Sequence, residues 1–279
     1  MFEIPAHIQR AADRYKPVEV DGLTLYPITV AEYDDFMVAS PAISFMQQSL
    51  PVTMLRVPLL TAYYRLWMQD IASGTEEYGD LFYRAMLFLA LSLRIGEGLD
   101  RRDRVQQISP VLDRNNPSQL KCLRFRLNGE EVQEITPIQF QMLRPILAAQ
   151  NGIEILPDDA NPELVEAERE IAETNAPKLR VEKAKEISFV AALSHVDEDE
   201  IDRWPLLKLF RRRDTYQHMM RYLLCGAAEA QGGTWKGGNP VPHPFYERSD
   251  LQSGALRKLD DVAPGAADAV NKPGERISS

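Results

Sequence analysis

The sequence predicts a mainly α fold with small β-hairpins (α+β), built as a helical core with a flexible C-terminal tail. Three observations carry this reading. Apolar residues recur at three- and four-residue steps through 43–95 and 137–151, which is the helical period. Two short stretches, 18–30 and 120–135, switch to a period of two around an Asp-Gly or an Asn-Gly pair, the pattern of a hairpin. Beyond residue 231 glycine and proline are dense, and beyond 263 few large apolar groups remain, so little is available to pack that end.

In chain order, Val18 and Val20 alternate with polar positions, Asp21-Gly22 makes the two-residue turn, and Leu23, Leu25 and Tyr26 follow. Thr29, with Glu32 three residues on, predicts a capping box. The helix it opens runs over about 30–39 and stops before Pro41. Leu59, Leu60, Tyr63, Tyr64, Trp67, Met68 and Ile71 then mark a helix that Ser73-Gly74 ends. The stretch 81–95 is apolar on nearly every face, which predicts a helix enclosed by other elements, ended by Gly96 and Gly98. The polar stretch 97–118, with two prolines and Asn115-Asn116, reads as a loop or inserted connector.

Leu123, Phe125 and Leu127 next alternate with Arg124, Arg126 and Asn128; Asn128-Gly129 turns the chain, and Val132 and Ile135 return. Thr136-Pro137 opens a helix, with proline at the first position where its missing amide costs nothing. Phe140, Leu143, Ile146 and Leu147 are its buried face, and Asn151-Gly152 its end. Residues 154–202 hold fifteen Asp and Glu against five Lys and Arg. An exposed helix is expected over 162–173 and another over 186–193, with Asp197 and Glu200 as a capping box for a short third. Pro205 opens a longer helix to about 230, with Leu206, Leu209, Phe210, Tyr216, Met220 and Leu223 on one face. The chain is thus organised as 1–96, a hairpin and helical region; 97–118, a connector; 119–230, a second hairpin and helical region; and 231–279, a Gly/Pro-rich and partly disordered segment.

Composition narrows the function. A chain of 279 residues, 44% hydrophobic and 26% charged, buries a core without metal or disulfide staples. A net charge of −9 repels polyanions, which disfavours nucleic acid and anionic membrane surfaces as partners. Only Cys122 and Cys225 occur, far apart, so a reducing compartment fits best. Residues 1–14 lack the pattern of a secretory signal. The most apolar run, 85–93, is bracketed by Arg84 and Arg94 and is far shorter than the ~20 residues of a membrane span.

No catalytic, cofactor-binding or metal-binding motif is present. Gly232-Gly233 to Gly237-Gly238 resembles a phosphate loop only in glycine content: no strand precedes it and no Lys-Ser/Thr closes it. His195, His218, His243 and Cys225 lack the compact spacing of a zinc site. The acids at 197–200 are accounted for by capping and the helix dipole. Two features point to binding instead. Arg211, Arg212 and Arg213, with Lys208 and Arg221, form the one basic cluster. The span 189–220 has a loose helix-turn-helix look, but its acidic turn would face the phosphates. An intramolecular partner for the acidic stretch, or a solvated helix face, is the stronger reading. Trp235, Phe245 and Tyr246 lie among prolines and glycines, as residues that dock in a partner's groove do, or as a tail that packs on its own domain does.

Several stretches resemble the tail assembly chaperones of tailed phages. They are 25–37 (LYPITVAEYDDFM), 129–151 (GEEVQEITPIQFQMLRPILAAQN), 161–167 (NPELVEA), and the run from Phe189 through WPLLKLFRRRD to KGGNPVPHPFY. The resemblance implies a non-enzymatic factor in the cytoplasm of an infected bacterium, absent from the mature virion. It would coat the apolar helices of the phage tape-measure protein, with several copies acting along one long helix and possible contact between them. The alternatives are a permanent component of the tail, baseplate or neck, and a helical DNA-binding regulator using Arg211, Arg212 and Arg213.

Overall fold

The computed structural model describes residues 4–75, 80–114, 116, 119–127, 131–156, 161–175 and 182–232. The chain forms two compact units, Met1–Arg213 and Asp214–Ser279.

The first unit opens with α1 (Ala6–Asp13), whose Ile8 and Ala12, four residues apart, form its buried face. Strands β1 (Val18–Val20) and β2 (Leu23–Leu25) pair antiparallel, with Val20 opposite Leu23. Asp21 and Gly22 between them both have positive φ, 51° and 79°, the turn an Asp-Gly pair favours because it matches the twist of the strands. Glu32 reaches back to Thr29 as the capping box requires, accepting from its N–H at 3.4 Å and its hydroxyl at 3.3 Å. The turn it closes, Val30–Glu32, is a 3₁₀ turn, and α2 (Tyr33–Ala39) follows. α2 stops at Ala39, before Pro41, as expected. Pro41 then starts the separate one-turn α3 (Pro41–Ser44), where no amide is needed from it.

Helix α4 (Leu59–Ser73) closes on Gly74 at φ 69°. Helix α5 (Asp80–Ser92) is buried at Phe82 and continuously from Ala85 to Ser92, the enclosed helix its composition predicts. Each Leu or Phe so buried contributes about 1.5–3 kcal/mol. No described helix is long and apolar enough to cross a membrane.

The stretch 97–118 departs from the expected connector loop. Asp100 caps α6 (Arg101–Gln106) by accepting the Asp103 N–H at 2.9 Å. The buried Arg104 donates to Glu32 at 2.8 Å and to the Gly96 carbonyl at 3.3 Å. Strand β3 (Ser109–Leu112) then pairs with β4 (Leu120–Leu127), Pro110 opposite Leu123. Proline is tolerated there because β3 is an edge strand of the sheet β3-β4-β5. β5 (Glu131–Ile135) pairs along the other side of β4, with Leu127 opposite Glu131. The Asn128-Gly129 turn lies outside the described residues. The hairpin β1-β2 forms a sheet of its own.

Thr136 caps α7 (Pro137–Asn151): its hydroxyl accepts the Gln139 N–H at 3.2 Å while the Gln139 side chain accepts the Thr136 N–H at 2.9 Å. Phe140, Leu143, Ile146 and Leu147 are buried, and Gly152 at φ 68° ends the helix, all as the sequence predicts. Tyr63 on α4 donates to the Ala42 carbonyl at 2.8 Å, and Arg144 on α7 donates to that of Ile43 at 2.7 Å. Residues on both sides of 97–118 therefore share one core.

The acidic region carries α8 (Pro162–Asn175), α9 (Lys183–Ser194) and α10 (Glu198–Ile201). Asp197 caps α10 through the Asp199 N–H at 3.0 Å. Helix α11 (Leu206–Ala230) is one continuous helix. Its expected apolar face is buried only at the start. Leu206 and Leu209 are in the core, Phe210 and Tyr216 are half-buried, and Met220 and Leu223 are exposed. The second unit is described from Asp214, within α11, to Gly232.

Candidate functional site

The basic cluster at the start of α11 is engaged within the first unit. Arg211 donates to the Asp13 carboxylate at 3.0 Å and to its carbonyl at 3.3 Å. Arg213 donates to Glu186 at 2.7 Å. Glu186 is buried, and its second carboxylate oxygen has no hydrogen-bond partner. The Arg213 guanidinium also lies 5.2 Å from the centre of the Phe210 ring, which meets Tyr33 edge-on at 6.2 Å and Phe36 at 6.4 Å. Burial, and after it the Glu186 charge, push the Tyr33 phenol above its ordinary value. Lys208 sits 3.6 Å from the centre of the Trp204 ring. Burial, then the Arg212 charge, hold its ammonium below its ordinary value. Arg212 is exposed. Of the alternatives the sequence leaves open, an intramolecular partner in the acidic stretch is the one Arg213 takes.

Trp235, Phe245 and Tyr246, and His243 between its two prolines, lie outside the described residues. His195 ends α9 in the left-handed region at φ 55°, and His218 and Cys225 are half-buried on α11. Among the described residues no three His, Cys, Asp or Glu side chains gather to hold a metal ion. Glu198 accepts the Ser188 hydroxyl at 2.5 Å, so two of the four acids at 197–200 are used in capping or in joining α10 to α9.

Two surfaces among the described residues expose apolar groups together. One is the distal half of α11, where Met219, Met220, Leu223 and Leu224 are all exposed, the two leucines at 60% and 69%. Steps of three and four residues put these side chains along one side of the helix. Met220 and Leu223 are on the apolar face that the helical period predicts, but that period says only that a face is apolar and not what covers it. The second is a groove of about 420 Å³ at the starts of α4 and α7, whose lining includes Pro58, Pro137 and Ile138 together with Arg56, Arg65 and Lys121. Its residues come from distant parts of the chain, and no local pattern marks it.

No family model, curated protein or solved structure matches the chain.

Proposed function

We propose that this chain is a non-enzymatic phage tail assembly chaperone, which binds the tape-measure protein and keeps it soluble while the tail is built. The carrying observation is the exposed row Met219, Met220, Leu223 and Leu224 on a chain of net charge −9. A surface that shields another protein's apolar helices must itself present apolar groups, and unbranched methionines adapt to many shapes. The net charge keeps the complex from aggregating. The phage-like stretches at 25–37, 129–151 and 161–167 agree with this role. Exchange during tail assembly asks for modest affinity per contact, multiplied over several copies along one partner. In this reading the chain acts in the cytoplasm of the infected host and is released before the virion is complete.

Co-expression tests it: the tape-measure protein should stay in the soluble fraction only when this chain is present. If its solubility is indifferent to this chain, the proposal fails. A permanent place in the tail, baseplate or neck would instead leave the chain stoichiometric in purified particles, as mass spectrometry reads directly. A DNA-binding role would require Arg211 and Arg213 to leave Asp13 and Glu186.

A further inference from the structure

We infer that the groove at the starts of α4 and α7 receives helix α8 of a second copy of this chain. The groove's own chemistry sets what can enter. Its lining has an apolar part, with Ile138 66% exposed and Pro58 and Pro137 in the same lining. Around it stand Arg56, Arg65 and Lys121, against Asp113 as the single acid of the lining. In a chain of net charge −9 this is a local reversal of sign, and it selects an acidic segment with an apolar edge.

Helix α8 is such a segment. Its sequence carries five glutamates and one arginine. Leu164 and Ile171 are 64% and 61% exposed. Seven residues apart, they lie on one side of the helix, about 10 Å from each other. Ala167 and Glu168, between them on that side, are exposed too, as is Glu170. Seated in the groove, Leu164 and Ile171 would cover Ile138 and the prolines, with Glu168 and Glu170 towards Lys121 and Arg56. Used reciprocally, the contact closes as a two-fold pair in which each copy gives its helix and takes its partner's. This inference stands apart from the chaperone reading, since it concerns only contacts between copies.

Sedimentation velocity of the full chain over a concentration series tests it. The wild type should associate reversibly, and less at high salt. Reversing the groove (Arg56→Glu with Lys121→Glu) should weaken association at least about tenfold, as should reversing the helix (Glu168→Lys with Glu170→Lys). Mixing the two reversed variants should restore it, because each then offers the charge the other needs. A wild type that stays monomeric at every concentration overturns the inference, as does association that either reversal leaves unchanged.

Discussion

Ile28 and Asn151 are 123 residues apart and share one buried hydrogen bond, the Ile28 N–H donating to Asn151 Oδ1 at 2.9 Å. The Asn151 amide in turn donates to the Leu147 carbonyl at 2.8 Å. The Ile28 carbonyl accepts the Leu206 N–H at 2.9 Å. One side chain at the end of α7 thus holds the segment after β2, and through it the start of α11. Asn151→Ala should leave the Ile28 N–H buried without an acceptor, at a cost of about 1–3 kcal/mol. Urea unfolding measures this as a lower midpoint at unchanged slope, and an unmoved midpoint would contradict it.

Gly152, the next residue, tests the same junction by steric means. A Cβ there would lie 2.7 Å from Leu207 Cδ1, whereas one at Gly74 would meet nothing within 4 Å, and the two share φ near +68°. Gly74→Ala should cost only the left-handed strain of about 1–2 kcal/mol. Gly152→Ala should cost a further ~1–3 kcal/mol for overpacking the buried Leu207. Equal losses in paired thermal melts would mean that Leu207 swings aside freely.

The two arginine pairs of α11 should differ sharply. Arg211 and Asp13 are both nearly half exposed, and breaking such a pair costs about 0–1 kcal/mol. Glu186 has a side chain only 3% exposed beneath Arg213, so Arg213→Ala strands a buried carboxylate, at about 3 kcal/mol. Adding Glu186→Gln to Arg213→Ala should recover much of the loss, because the stranded charge is then gone. A double-mutant cycle by chemical denaturation reads both effects.

Tyr63 predicts the alkaline limit of stability. Burial raises its phenol well above the ordinary 10.0, with Arg144 opposing, so the folded chain holds a proton that the unfolded chain releases. This contribution is complete below pH 10 and is lost as pH rises from there towards the folded value. Melting temperature should therefore fall above about pH 10. In Tyr63→Phe the fall should be shallower, although that variant also loses the 2.8 Å bond to Ala42 and starts lower. Identical slopes for both proteins would assign the alkaline loss to other groups.

Changes on the distal half of α11 should separate stability from binding. Leu223 and Leu224 are exposed, so Leu223→Gln with Leu224→Gln should shift chain stability by no more than about 0.5 kcal/mol per site. The same pair should lower the soluble yield of co-expressed tape-measure protein. Full retention of that yield would remove this face from the proposed contact.

The sequence alone determined what depends on neighbours a few residues apart. The Asp21-Gly22 turn, the Thr136-Pro137 start, the Gly74 and Gly152 ends and the enclosed α5 follow from backbone sterics, capping and apolar period. The Asp100 cap of α6 was also present in the sequence, but the surrounding polarity and prolines masked it. Tertiary structure decided whatever needs a distant partner. Strand β3, Ser-Pro-Val-Leu, is short and holds a proline, so it has no strand signature of its own, and β4 supplies the pairing that makes it a strand. Arg211 meets Asp13 across 198 residues, and the apolar row of α11 is core at Leu209 and surface at Leu223. Periodicity records which side of a helix is apolar; only the packed chain determines whether that side is covered or left to bind.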